Sequence, residues 1–170
     1  MAGPEAIVVM GVSGSGKSTI GAALADAIGA AFLDADDLHP DANRRKMAAG
    51  VPLDDDDRWP WLDAVGESIG AEHTGGRAVV MACSALKRVH RDRIAAAAGD
   101  AHPVFVHLSG SEQLLADRLA ARRGHFMPAS LLTSQLDALE PLGEGERGVQ
   151  VENLGEPGEV VARILAALGR

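Results

Sequence analysis

The stretch that decides the fold is Ala6-Ile7-Val8-Val9-Met10-Gly11-Val12-Ser13-Gly14-Ser15-Gly16-Lys17-Ser18. Its first five residues are apolar and mostly β-branched, which predicts a short buried strand that ends at Gly11. Residues 11–18 match the pattern G-x-x-x-x-G-K-[ST] at every fixed position. Apolar residues then recur every four positions from Ile20 to Ile28, so a helix is predicted from Lys17 to Ile28.

A strand, a glycine-rich turn and a helix in this order are typical of a loop that holds nucleotide phosphates. The glycines let backbone N–H groups approach an anion closely, and the helix N-terminus adds partial positive charge. Lys17 is predicted to reach the β- and γ-phosphates and to be catalytic, and the Ser18 hydroxyl is predicted to bind Mg²⁺. The predicted nucleotide-binding residues in this segment are Gly11, Val12, Ser13, Gly14, Ser15, Gly16, Lys17, Ser18 and Thr19.

The rest of the chain alternates short apolar runs with helical patterns. Further strands are predicted at 31–33, 78–83, 103–108 and 149–151, and helices at 41–49, 61–74, 86–98, 112–123, 130–139 and near the C-terminus. The acidic, proline-containing segment 51–58 is predicted to be a loop. This alternation predicts an α/β fold with about five parallel strands and helices on both faces of the sheet. With no internal repeat and no long linker, residues 1–170 are predicted to form a single domain.

Composition and charge narrow the class of function. The net charge of -8 and pI of about 5.1 argue against binding to a long polyanion, so no nucleic-acid partner is expected. A single cysteine, Cys83, precludes an intramolecular disulfide. The N-terminus lacks the pattern of a secretion signal and no apolar run is long enough to span a membrane, so a cytoplasmic location without membrane contact is expected.

Other signals separate the classes of nucleotide-binding protein. The Asn-Lys-x-Asp segment typical of guanine recognition is absent from the sequence. The predicted central strand at 78–83 runs into Ser84 without the terminal carboxylate expected of an ATPase motor. A kinase is therefore favoured over a GTPase or a motor. A nucleotide-binding module without catalytic activity stays open, although intact Lys17 and Ser18 argue against it.

Two carboxylates end the second predicted strand, where ligands of parallel sheets bind. Asp34 and Asp36 are one residue apart, so in extended geometry they point to the same face. We predict that Asp34 acts on Mg²⁺ and that Asp36 accepts or orients the proton of a substrate hydroxyl. The alternative for such residues is helix capping. His39, Asn43 and Lys46 follow as weaker candidates for binding hydroxyls or a carboxylate.

An arginine-rich segment indicates a lid. Arg118 and Arg122 are four residues apart on a predicted helix and precede Gly124-His125-Phe126. Kinases with this layout place mobile arginines over the phosphates, where they offset charge on the transferred group and exclude water. We therefore predict a lid near residues 118–140, in which Arg118 and Arg122 bind nucleotide and Arg122 is also catalytic. A solvated helix end is the alternative.

Several segments together resemble the bacterial-type gluconate kinases. These are residues 11–18, 32–40, 43–47, 52–58, 60–62, 83–87, 91–92 and 124–126, in order and with natural spacing. The phosphate loop is common to many proteins, whereas the segment from Asp36 to Met47 and Cys-Ser-Ala-Leu-Lys at 83–87 are far more specific. The resemblance runs from about residue 7 to about residue 140, and the C-terminal part adds no motif.

The resemblance implies an ATP- and Mg²⁺-dependent carbohydrate kinase of gluconate utilisation. Such enzymes transfer the γ-phosphoryl group of ATP to the 6-hydroxyl of D-gluconate, giving 6-phospho-D-gluconate and ADP. It also implies a three-layer fold like that of nucleoside-monophosphate kinases, and a homodimer. By the same resemblance, Asp36, His39 and Asn43 face the sugar acid. Lys46, Arg58, Lys87 and Arg91 are candidates for its carboxylate. A related small-acid kinase, such as a shikimate kinase, is the runner-up.

Overall fold

The computed structural model describes residues 5–121 and 129–170, and its centre is a five-stranded parallel sheet. The strands are β1 (Ala6–Met10), β2 (Ala31–Asp34), β3 (Val79–Ala82), β4 (Val104–Ser109) and β5 (Gly148–Glu152). They are ordered β2-β3-β1-β4-β5. In the register of the sheet, Ile7 of the central strand lies between Val80 and Val104. The predicted α/β fold is confirmed.

Helices cover both faces of this sheet. They are α1 (Lys17–Ile28), α2 (Asp41–Ala48), α3 (Asp55–Thr74), α4 (Arg88–Ala98), α5 (Glu112–Ala121), α6 (Ala129–Ala138) and α7 (Pro157–Ala167). Val8 of β1 packs with α3 and α4 in one apolar cluster, while Ile7 packs with α1 and α7 in another. Successive strand residues point to opposite faces, and burial on both faces explains why the strands are apolar throughout.

The acidic segment after α2 departs from its predicted structure. Residues 51–58 were expected to be a loop, but α3 begins at Asp55. The Asp54 carboxylate accepts a hydrogen bond from the Asp57 N–H, and the Asp57 carboxylate accepts one from the Asp54 N–H. This reciprocal pair is a capping box, and acidic side chains in a first turn suit the positive end of the helix. The acidic run therefore starts a helix.

The connection between β3 and α4 is longer than the sequence pattern indicates. A helix was predicted from Leu86, but α4 begins at Arg88 because Ala85 has a φ of 44° and Lys87 is extended. The freed segment lies beside the phosphate loop, where the carbonyl of Ser84 accepts a hydrogen bond from the N–H of Gly11 at 3.3 Å. The carboxyl ends of β1 and β3 are thereby joined next to the glycine-rich turn.

Within the described ranges, none of the helices combines the length and apolar character needed to cross a membrane.

Candidate active site

A cavity of about 530 Å³ opens at the carboxyl ends of β1, β2 and β3. Its lining includes Ser13, Gly14, Gly16, Lys17, Ser18, Thr19, Asp34, Asp36, His39, Met47, Leu53, Arg58, Trp61, Ala82, Cys83, Ser84, Arg118 and Gln135. The phosphate loop forms one wall, and the segment after β2 together with the start of α3 forms the other. This is the edge at which ligands of parallel α/β sheets bind.

The phosphate loop depends on glycine at its last turn. Gly16 has a φ of 89° and immediately precedes the first residue of α1. A Cβ atom there would lie 2.5 Å from the Asn153 side-chain nitrogen, which donates to the carbonyl of Ser15. Both the backbone conformation and the close contact therefore require glycine. The turn leaves the N-terminus of α1 at the cavity, where it favours an anion.

One buried donor beside the cavity suits the phosphates of a nucleotide. Arg118 lines the cavity, and one of its terminal nitrogens is buried without a hydrogen-bond partner among the described residues. The other terminal nitrogen of Arg118 donates to the carbonyl of Asn153 at 2.8 Å, which fixes the guanidinium. Lys17 Nζ donates to the Val12 carbonyl at 3.2 Å, so the lysine curls back over the loop. Buried groups without partners are rare unless a ligand or water satisfies them.

The two predicted Mg²⁺ ligands are in direct contact. The Ser18 hydroxyl donates to Asp34 Oδ2 at 2.7 Å, and both residues line the cavity. Asp34 Oδ1 accepts from the Asp36 N–H at 3.0 Å, so Asp34 also caps the short 3₁₀ turn at 35–38. One hydroxyl and one carboxylate form a suitable partial donor set for Mg²⁺, which keeps several waters and usually binds substrate phosphates as well.

The opposite wall brings together three of the predicted acceptor-side residues. Asp36 is exposed to the cavity, and His39 and Arg58 also line it. Asn43 does not line it: its side chain is buried and donates to His39 Nδ1 at 3.2 Å and to the carbonyl of Asp57 at 2.9 Å. Asn43 therefore affects the cavity only indirectly, through its hydrogen bond to His39.

The four basic residues predicted as candidates for binding the substrate carboxylate differ in position and in bonding partners. Arg58 alone among them lines the cavity. Lys46 Nζ lies 2.7 Å from Asp57 Oδ2, and this pairing raises the pKa of Lys46 and lowers that of Asp57. Lys87 Nζ lies 3.7 Å from Asp55 Oδ2. Arg91 is buried, donates to Glu146 Oε1 at 2.7 Å and also donates to the carbonyls of Ala85 and Leu86.

The ring of His39 is held in place by its neighbours. It stacks on Trp61 with ring centroids 4.2 Å apart and an angle of 14° between the planes. The indole nitrogen of Trp61 donates to the carbonyl of Ala35 at 2.7 Å. Burial lowers the pKa of His39, and although the nearby Asp36 opposes this effect, the net direction is downward. The imidazole is therefore neutral at neutral pH.

Cys83 lines the same cavity but is not suited to nucleophilic catalysis. Burial raises the pKa of its thiol to about 12, so the thiolate is absent at neutral pH. This agrees with its interpretation from the sequence as a buried residue at a strand end.

Sequence reasoning missed two polar residues that hold the phosphate loop. Gln135 of α6 accepts a hydrogen bond from the Ser13 N–H at 2.7 Å, and Asn153 follows β5 and binds the Ser15 carbonyl. Both are more than 120 positions from their partners, so no local pattern marks them. Leu115 and Leu132 also pack on Val12, which ties α5 and α6 to the loop. Arg122 lies outside the described residues.

Comparisons with known proteins find relatives over nearly the whole chain. A family model described as an AAA domain matches residues 7–142. A probable gluconokinase of Rattus norvegicus is 44% identical over 97% of this chain and 98% of its own length. A gluconokinase of Gluconobacter oxydans is 45% identical over 95% of this chain and 90% of its own.

Solved structures give the same result at the level of the fold. A gluconokinase from Sinorhizobium meliloti is 48% identical, with a TM-score of 0.87 over 100% of this chain and 94% of its own. A shikimate kinase from Aquifex aeolicus is 16% identical, with a TM-score of 0.60 over 96% of this chain and 95% of its own. At that identity only the fold is shared.

The parallel sheet, the phosphate loop and the polar wall facing it define a P-loop kinase, a class that uses ATP. The full-length similarity is more specific. The chain belongs to the gluconokinase family.

Proposed function

We propose that the chain transfers the γ-phosphoryl group of ATP to the 6-hydroxyl of D-gluconate, giving 6-phospho-D-gluconate and ADP. The observation that carries the proposal is the arrangement of one cavity. Lys17 and Ser18 of the phosphate loop line one wall, and Asp36, His39 and Arg58 line the other. Because one cavity is lined by both sets of residues, a phosphoryl donor and a polyhydroxy acid can bind in it side by side, as direct transfer requires.

The phosphate-loop wall holds the donor. Backbone N–H groups where the phosphate loop enters α1 bind the phosphates at the N-terminus of that helix, and Lys17 neutralises charge on the β- and γ-oxygens. Ser18 and Asp34, already in contact at 2.7 Å, would hold Mg²⁺. When bound, the metal ion supplies positive charge to the oxygens of the transferred group.

The opposite wall holds the acceptor. Arg58 binds the carboxylate of gluconate, because a charge-assisted hydrogen bond is the strong kind and this guanidinium reaches the cavity. Asp36 orients the 6-hydroxyl and accepts its proton as the oxygen attacks phosphorus. His39 binds another substrate oxygen. Four predicted residues that do not line the cavity contact residues near this wall. Asn43 bonds to His39, and Lys46 pairs with Asp57. Lys87 pairs with Asp55, and Arg91 donates to the carbonyls of Ala85 and Leu86.

We infer that a region near residues 118–140 forms a lid over the bound nucleotide within a single domain. Arg118 supports this because one of its nitrogens is buried beside the cavity without a partner among the described residues. Arg122, four residues further on, is proposed to stabilise charge on the transferred group. Closure would exclude water and so limit hydrolysis of ATP. A homodimer and a cytoplasmic location stay predictions.

A coupled assay of ADP release tests the function. Purified protein with ATP and Mg²⁺ is given D-gluconate, shikimate or related sugar acids in turn, and the product is identified by ³¹P NMR. We expect turnover with gluconate and a phosphomonoester at C6. Turnover with shikimate instead would support the runner-up kinase. An absence of turnover with every acid, alongside measurable ATP binding, would indicate a non-catalytic module.

A further inference from the structure

The Asn43 side chain makes two hydrogen bonds through the same nitrogen. Nδ2 lies 2.9 Å from the carbonyl oxygen of Asp57 and 3.2 Å from His39 Nδ1. A carbonyl oxygen can only accept, so the atom facing Asp57 must be the amide nitrogen and the orientation of the carboxamide is settled. The residue is 3% exposed and does not line the cavity, so its polar atoms serve its neighbours.

This arrangement determines where His39 carries its proton. An amide nitrogen has two hydrogens and no lone pair to offer, so His39 Nδ1 must accept. The neutral ring therefore bears its proton on Nε2. Protonation of Nδ1 would set two donors against each other, and burial of the ring opposes the charged form as well.

The charged groups around the ring come from three elements. Asp36 in the 3₁₀ turn favours the imidazolium, while Arg44 on α2 and Arg58 on α3 disfavour it. Lys46 and Asp57 lie behind Asn43 and form a pair with each other. Stacking on Trp61 fixes the plane of the ring. With Nδ1 occupied, Nε2 is the nitrogen left for a ligand in the cavity.

We propose that Asn43 is a positioning residue that locks His39 as the Nε2–H tautomer, so that His39 acts as a hydrogen-bond donor to the acceptor substrate and not as a base. The substrate part of this inference rests on the proposed function. A donor there suits a hydroxyl or carboxylate oxygen of a polyhydroxy acid. Of the acceptor-side residues Asp36, His39 and Arg58, this leaves Asp36 as the proton acceptor.

The tautomer is tested first, on the ligand-free protein. Long-range ¹H–¹⁵N correlation spectra of uniformly ¹⁵N-labelled protein distinguish a protonated ring nitrogen from an unprotonated one, and loss of the signals in His39→Gln assigns them. We expect an unprotonated Nδ1 and a protonated Nε2. The opposite pattern in the wild-type protein would overturn the proposal. Because no substrate is needed, this result is independent of whether gluconate is phosphorylated.

Asn43→Asp then tests the lock, because a carboxylate accepts where the amide donates. We expect protonation of Nδ1 and a higher His39 pKa in the NMR titration, since a carboxylate stabilises the imidazolium. Asn43→Ala removes the constraint with less risk to folding and should give a mixture of tautomers. Arg45→Gln, an exposed change on the same helix, is the matched control and should alter neither. An unchanged tautomer and pKa in both Asn43 variants would contradict the lock.

Kinetics separate positioning from direct contact with substrate. Asn43→Asp should raise the KM for gluconate about tenfold, the effect of one misdirected hydrogen bond, and leave the KM for ATP unchanged. In a His39→Gln background, where the amide can still donate near the Nε2 position, the same change should raise that KM less than about threefold. An equal tenfold rise in both backgrounds would mean that Asn43 contacts the substrate itself.

Discussion

At the scale of single residues, Arg58 reaches the cavity because Asp55, three positions earlier on α3, holds one of its guanidinium nitrogens at 3.3 Å. Asp55 also accepts from His90 at 3.1 Å, and this hydrogen bond is the main reason that the pKa of Asp55 is lowered. The carboxylate thus stays ionised at neutral pH. It fixes Arg58 in place without shielding it from a ligand in the cavity.

Arg58→Gln should therefore weaken gluconate binding selectively. Loss of a charged hydrogen bond to a carboxylate predicts a rise of about 10- to 100-fold in the KM for gluconate, with little change in the KM for ATP. Lys87→Gln is the matched control, because Lys87 pairs with the same Asp55 but does not line the cavity. Steady-state kinetics with both substrates varied measures the effect. A larger effect from Lys87→Gln would transfer the carboxylate-binding role to Lys87.

Asp36 should affect turnover more than binding. Asp36→Asn keeps the shape and the bond from its N–H to Asp34 but cannot accept a proton, so kcat is expected to fall about 10²- to 10⁴-fold. Asp37→Asn is the control, since Asp37 is exposed next to it and does not line the cavity. Single-turnover measurements isolate the chemical step. Near-normal turnover in Asp36→Asn would remove Asp36 from the role of base.

At the scale of secondary structure, the first turn of α3 holds α2 in place on the acceptor side of the cavity. Asp57 closes the capping box with Asp54, binds Lys46 through its carboxylate and accepts from Asn43 through its carbonyl. Because Asn43 and Lys46 lie on α2, the first turn of α3 fixes the position of α2. His39 and Arg58 are thereby held on the same side of the cavity.

Loss of the cap should cost measurable stability. Asp54→Ala removes the side-chain acceptor for the Asp57 N–H and is expected to lower the free energy of unfolding by about 1 kcal/mol. Asp54→Asn retains an oxygen acceptor and should stay within a few tenths of a kcal/mol of the wild type. Urea denaturation followed by circular dichroism compares them. Equal losses in the two variants would show that the charge of Asp54 matters and its hydrogen bond does not.

How far the sequence predicts this structure depends on how local each interaction is. The bounds of β1 and α1 and the phosphate loop follow from short patterns, and the structure has α1 at the predicted residues Lys17–Ile28. The predicted start of α3 at residue 61 was wrong, because the capping box at Asp54 was interpreted as part of a loop. Arg91 shows the deeper limit, since a pattern marks an arginine but does not reveal that Glu146, 55 residues away, binds it.

At the scale of the whole molecule, the pair between Arg91 and Glu146 ties α4 to the segment before β5. The Arg91 side chain is 1% exposed and that of Glu146 is 6% exposed, with donor and acceptor 2.7 Å apart. Arg91 also donates to the carbonyls of Ala85 and Leu86, which continue from the cavity residues Cys83 and Ser84. The ion pair thus stabilises the backbone next to the cavity residues Cys83 and Ser84, although neither Arg91 nor Glu146 lines the cavity.

Glu146→Gln should destabilise the protein in a pH-dependent way. Bonding to Arg91 lowers the pKa of Glu146 from its ordinary value of 4.5. The folded state thus binds fewer protons there than the unfolded state, and the stabilisation is present above pH 4.5 and is lost as pH falls through the lowered pKa. At pH 7 the variant leaves Arg91 buried without a counter-charge, so we expect a loss of about 3 kcal/mol in the free energy of unfolding, measured by urea denaturation.

The exposed Glu144→Gln is the control and should show no comparable loss. A difference between wild type and Glu146→Gln that stays constant from pH 7 to below pH 4.5 would mean that the carboxylate stabilises the fold by packing and not by its charge.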